Sequence, residues 1–530
     1  MSLPEDLNMQ ALPKQPYNSP RLLKWFYCTH RVGSSLALLP YWAIKYALGQ
    51  RPRPSWSIRE TLLIDFTRRV SAICDRAGVQ HAVRDPTKEP KPDELKETRF
   101  EWVPGLSGDD CCGVLDDDEV KPLGKVGTFI WERDDDVRAD YNAVNAKRPV
   151  ENDVTMSQLS FQPSVAGGEG GDLVGIYLHG GGYTHFSAHE HAQTSIIPRR
   201  LMQYDYFASI HAVEYRMLPE SPFPAAVQDA ASVYVHLVRS GVQANKIVVI
   251  GDSAGGNIAL AVARWVRDHR KVPSPGGLLL LSPWCDPSRC FPDCLHSYVP
   301  RPNPEDYLPD APAARQLLVS SLLGNKPHDY LASPYLSPAS SFGPHGSFDE
   351  FPPTFVHYGD AERLIDEIEA LVSGMKRDRV DIDVEKTPDA VHDVLMVRFW
   401  NEKVRTHIYT RICGWLDGVV KRSGGTTRSR TGSRASRFGS SSPGPAAVAA
   451  VASTSETRSP RKRAPSGGAD VLRNPDATVP HADGAAKLVP NGNGNHQSAH
   501  GHSPLATFAS TQEAGADAIA EHHPSGAQQR

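Results

Sequence analysis

Ser253 lies in "GDSAGG" (251–256), directly after the apolar run "KIVVI" (246–250) and before "NIALAVARWVRDHR" (257–270). A serine with glycines two positions away on either side, between a strand-like and a helix-like segment, fits the G-x-S-x-G nucleophile elbow. The pattern predicts a tight bend that lifts the serine to the end of a sheet, with Gly251 and Gly255 removing side chains that would collide with neighbouring backbone. A phosphate-binding turn is the competing reading, but the P-loop lysine and the G-x-G-x-x-G spacing are both missing. A serine hydroxyl is a weak nucleophile alone and needs a base, an orienting acid and donors for an oxyanion. "HGGGY" (179–183) supplies stacked glycines whose amides can face a ligand, so Gly180, Gly181 and Ala254 are the candidate oxyanion hole. Of 21 histidines, His392 in "DAVHDVLM" (389–396) is the one that falls in a late loop after the last strand-like run. "YGDAERLIDE" (358–367) places Asp360 and Glu362 at the end of the preceding strand, and both stay open as the acid. Asp366 and Glu367 fall within the following helix.

These positions need a frame. Strand-like runs occur at 172–179, 206–215, 246–251, 276–284, 353–360 and 380–386, and segments with helical spacing at 225–240, 256–270, 364–378 and 396–420. Short apolar runs alternating with amphipathic helices predict βαβ units and a mostly parallel sheet covered on both faces, an α/β fold. Ligands in such folds sit at the carboxyl ends of the strands, where all the candidate residues fall.

The flanks read differently. The chain has 530 residues, but from Lys421 onward large apolar side chains are scarce and Gly, Pro, Ser and Arg dominate, so 422–530 is expected to be a disordered tail. "SPRKRAPS" within it is read as solvated chain rather than an address signal. The opening twenty residues lack the apolar stretch of a signal peptide. The run Leu36–Leu48 is too short for a membrane span and contains Pro40 and Lys45. Arg21, Lys24, Arg31, Arg51 and Arg53, interleaved with Trp25, Tyr41, Trp42 and Tyr46, suit an element lying in a membrane interface, or a helix capping an apolar site. The net charge of −4 points to no nucleic acid partner. Eight scattered cysteines form no disulfide framework and fit a reducing compartment. Cys285, Cys290, Cys294 and His296 match no common zinc spacing and are read as part of an insertion loop.

Taken together, "HGGGY", "YRMLPESPFPAAVQD" and "GDSAGG" resemble the hormone-sensitive-lipase-like branch of the α/β-hydrolases, the group of arylacetamide deacetylase and the fungal steryl acetyl hydrolases, over about Val174 to Phe399. The resemblance implies an α/β-hydrolase fold and a serine carboxylic-ester hydrolase that needs no cofactor or metal. Laying "ERLIDE" on the family's acid motif puts Glu362 at the acid position, with Glu for the usual Asp and Arg363 for Pro. Arg216, Glu220 and Asp229 are then structural ties beneath the site. The implied organisation is an N-terminal cap and membrane-interface segment (1–119), a catalytic domain (120–421) with a cap insertion (285–345), and the tail. The expected substrate is a small lipophilic ester, and the expected location is intracellular, peripheral on the endoplasmic reticulum or another membrane. Some hydrolases of this fold have lost the base and act as small-molecule receptors; the presence of His392 argues against that alternative.

Overall fold

The computed structural model describes residues 21–77, 80, 82–133, 172–290, 301–340 and 346–424. The tail beyond 424 and the cysteine and histidine at 294 and 296 lie outside these residues. Among the described residues, eight strands form one sheet: β1 (Thr98–Pro104), β2 (Lys125–Glu132), β3 (Leu173–Leu178), β4 (Phe207–Glu214), β5 (Ile247–Asp252), β6 (Gly277–Leu281), β7 (Thr354–Gly359) and β8 (Ile382–Thr387). Their order is β1-β2-β4-β3-β5-β6-β7-β8. β1 and β2 run antiparallel at one edge, and every pairing from β4 to β8 is parallel. All six positions of β5 are buried, as a strand covered on both faces requires.

Side chains of β5 and β6 alternate between two apolar layers. Ile247, Val249, Leu278 and Leu280 enter one, and Val248, Ile250, Leu279 and Leu281 the other. The first layer is closed by α4 (Ala225–Arg239), α5 (Ala254–His269), α6 (Pro312–Leu323) and α7 (Ile365–Arg377). The second is closed by α3 (Ile196–Met202), α8 (Glu402–Arg422) and the N-terminal α2 (Ile58–Ala77). α2 opens on a capping box: Ser57 and Glu60 exchange hydrogen bonds through Ser57 N–H to Glu60 (2.8 Å) and Glu60 N–H to Ser57 Oγ (3.1 Å).

β1 pairs with β2, so the sheet takes in residues from Thr98 onward, ahead of the boundary expected at 120. α1 (Arg21–Ala47) continues through Pro40, because one proline removes one amide donor while the rest of the ladder persists. α1 packs on α2 through Ser35, Trp42 and Tyr46, with Arg69 bonding Ser34 and Ser35 and stacking over Trp42. Its opposite side leaves Leu22, Trp25, Phe26, Leu36, Tyr41 and Ile44 exposed. No helix among the described residues is long and apolar enough to cross a membrane.

Candidate active site

β3 and β5 are neighbours, with Leu178 opposite Gly251. Their register sets the glycine loop at 179–182 beside the bend at 252–254. Ser253 occupies that bend with φ 50° and ψ −116°, a conformation that side-chain-bearing residues rarely adopt, and caps the N-terminus of α5. The flanking glycines are required by contact. A Cβ on Gly251 would lie 2.3 Å from the carbonyl oxygen of Gly255, and one on Gly255 would lie 1.9 Å from that of Leu178. Ser253 N–H donates to Leu281 O at the end of β6 (2.9 Å), and Ser253 O accepts from Trp284 N–H (2.9 Å).

The loop after β8 brings His392 to the serine, with Nε2 3.0 Å from Ser253 Oγ. On the other side of the ring, Nδ1 is 3.5 Å from Glu362 Oε1. The second oxygen of Glu362 accepts from Ser282 Oγ (2.7 Å) and from Gly359 N–H (2.8 Å), which fixes the carboxylate. All three side chains are buried. Asp360, the other candidate acid, turns away: its carboxylate accepts from Asp389 N–H (2.6 Å) and its side chain is 31% exposed. The structure therefore brings Ser253, His392 and Glu362 into one chain of contacts and leaves Asp360 outside it.

The Gly180 amide turns toward the end of β5. Its N–H donates to Asp252 Oδ2 (2.9 Å), and Tyr177 O–H holds the other oxygen of that buried carboxylate (2.6 Å). The amide is therefore committed to the protein, and the loop is pinned to the elbow. Gly181 and Gly182 follow with φ of 108° and 61°, a left-handed path suited to glycine. Among the described residues the amides of Gly181, Gly182 and Ala254 donate no backbone hydrogen bond. Leu318 of α6 stands over Gly182, which puts an apolar cap side chain at the edge of the site.

Sequence reasoning did not single out Asp393. Its Oδ2 lies 3.2 Å from His392 Nε2, the nitrogen that also faces Ser253. Burial disfavours the imidazolium, but Asp393, the hydrogen-bonded Glu362 and Asp306 outweigh it and push His392 up to about 10. Burial, together with the charges of Asp252, Glu362 and Asp306, pushes the Asp393 carboxyl well above its usual range, although His392 opposes this. The adjacency "VHD" was the available signal.

Arg216 and Asp229 form the expected tie beneath the site, through Arg216 N–H to Asp229 Oδ2 (2.8 Å) and Nη2 to Oδ1 (2.9 Å), while Glu220 is exposed. Among the described residues no cluster of three or more histidine, cysteine or acidic side chains could hold a metal ion.

Residues 175–396 match the family described as the alpha/beta hydrolase fold. The chain is similar to an acetyl-hydrolase of Streptomyces hygroscopicus, 30% identical over 217 residues that cover 41% of this chain and 66% of that protein. It is also similar to an esterase of Acinetobacter venetianus (28% over 230 residues, 43% and 66%) and to an ethyl acetate hydrolase of Pseudomonas putida (33% over 117 residues, 21% and 36%). The matched segment thus spans just under two thirds of the first two relatives and about a third of the last. "HGGGY", "YRMLPESPFPAAVQD" and "GDSAGG" all lie inside the matched range. The matched segment has the α/β-hydrolase fold, its strands following one another in parallel from β3 to β8.

Proposed function

We propose that this protein is a serine carboxylic-ester hydrolase acting on small lipophilic esters, with Ser253, His392 and Glu362 as its triad. His392 Nε2 takes the proton from Ser253 Oγ as that oxygen attacks the ester carbonyl. The developing oxyanion is held by the amides of Gly181, Gly182 and Ala254, each donor of this kind contributing roughly 3–4 kcal/mol to lowering the barrier. Glu362 orients the imidazole and stabilises its charged form. His392 returns the proton to the leaving alcohol, and water then releases the acyl group by the same route. The observation that carries this reading is the 3.0 Å contact between His392 Nε2 and a serine held in an elbow. The acetyl-hydrolase and esterase names of the relatives point the same way.

The membrane belongs to the same proposal. The exposed apolar side of α1, flanked by Arg21, Lys24 and Lys45, lies in the headgroup region of a bilayer, where a lipophilic ester concentrates. The test is a fluorophosphonate probe on the purified protein, followed by turnover of esters of increasing acyl length. Ser253→Ala is expected to abolish labelling and turnover with an unchanged melting temperature; labelling that persists at another serine refutes the assignment. For the surface, flotation with anionic vesicles is expected for the intact chain and reduced for a Trp25→Ala/Phe26→Ala variant. Equal flotation of both sinks the membrane reading.

A further inference from the structure

His392 and Glu362 reach the site on separate loops, after β8 and β7, and meet at 3.5 Å, the long end of hydrogen-bond range. A contact at that limit depends on whatever fixes the two loops relative to each other. Sheet pairing fixes only the strands beneath them. The loops themselves are gripped from above by the segment around residues 303–306 and by the connection between α1 and α2.

We infer that Arg53 is a positioning residue for the proposed esterase reaction, clamping the acid loop to the base loop through Asn303, Glu305 and Asp389. Its Nε donates to Glu305 Oε1 (2.8 Å), Nη2 to Asn303 Oδ1 (2.9 Å) and Nη1 to Asp389 Oδ1 (3.4 Å), with Asp360 Oδ1 at 3.9 Å. Asn303 spends both its amide hydrogens on the acid loop, donating to Asp360 O (3.0 Å) and Glu362 O (2.9 Å). Asp389 begins the base loop three residues before His392. Its N–H is held by Asp360, and its carbonyl accepts from Trp56 Nε1 (2.7 Å). Asp306 completes the bridge, accepting from Arg363 N–H (2.9 Å) on one loop and His392 N–H (3.4 Å) on the other. One guanidinium thus faces three carboxylates and an amide drawn from three segments, a task for a rigid fork of donors that a lysine cannot reproduce. Trp56, buried edge-on against Trp400 at 5.6 Å between ring centres, anchors the connection to the body of the fold.

This inference rests on the esterase reading, and its test separates the two. Full-length wild type, Arg53→Ala, Arg53→Lys and Asn303→Asp are compared for kcat and KM on p-nitrophenyl acetate, rate of fluorophosphonate labelling and melting temperature. Asn303→Asp keeps the shape and the acceptor for Arg53 but removes both donors to the acid loop. Arg53→Ala and Asn303→Asp are expected to lower kcat and labelling rate about tenfold or more, since small displacements of reacting groups are costly. KM should stay within about twofold, and Arg53→Lys should recover part of the loss. If Arg53→Ala fails to fold, Asn303→Asp decides. Folded variants whose kcat and labelling rate stay within about twofold of wild type overturn the clamp while leaving the triad standing. Wild type that neither labels at Ser253 nor turns over the ester removes the esterase reading, and the clamp with it.

Discussion

At the proposed acid and base, single atoms decide the chemistry. Glu362 faces His392 Nδ1 and is held by Ser282 and Gly359, whereas Asp360 supports the base loop through Asp389. Glu362→Gln is therefore expected to reduce kcat by about a thousandfold or more, the scale seen when an orienting carboxylate is lost from a triad. Asp360→Asn, which keeps an acceptor for Asp389 N–H, is expected to cost less than about tenfold. Steady-state kinetics on a soluble ester reads both. In the proposed reaction, Asp393 is expected to shape the pH response. His392 must be neutral to act as base, so kcat/KM falls as pH drops through its pKa. Carboxylates beside it raise that pKa, and removing one lowers it. Asp393→Asn should move the acidic limb of the pH profile to lower pH and extend activity into acid. A limb that stays in place or moves up would show that Asp393 carries no charge beside the imidazole.

At the scale of elements, the parallel strands from β3 to β8 were legible because each is a short apolar run set off by turn residues and helices. The boundaries fell within two residues for most of them. β6 ends at Leu281, three residues before the expected 284, and the helix expected to start at 396 starts at 402, where Asn401 caps it by accepting from Lys403 N–H. β1 and β2 were missed because their partner is not local. "TRFEWVP" alternates polar and apolar residues only weakly, and it becomes a strand by pairing across to β2, which pairs in turn with β4. The meeting of Ser253 with His392 could be read from motif and position, while the bond from the Gly180 amide to Asp252 could not. Which amide is free depends on Asp252, and its side chain reaches across from the next strand. The elbow itself has no room for added volume. A methyl group on Gly255 has no room against the Leu178 carbonyl, so Gly255→Ala is expected to destabilise the protein by more than about 2 kcal/mol, read from its chemical denaturation midpoint.

For the molecule as a whole, the residues assigned to the chemistry end at His392, and the last described helix, α8, ends at Arg422. A chain ending at about residue 425 should keep the kcat of the full-length protein on a soluble short-chain ester, within the twofold scatter of such comparisons. A loss of turnover with the fold intact would assign the C-terminal segment a part in the site. The N-terminal hairpin is bound up with the catalytic body in a different way. α2 packs in the layer that holds β5 and α8, and Glu60 accepts from Asn401 N–H at the start of α8 (3.0 Å). Its removal is therefore expected to disturb the body, whereas substitutions on the outward side of α1 should not.

The backbone angles at Ser253 set fitness and durability against each other at one position. A glycine there would relax the elbow and favour the folded state, and it would also delete the oxygen proposed to attack. A population of these chains selected for heat resistance alone would drift toward that glycine. The serine persists only where each generation is also screened for turnover.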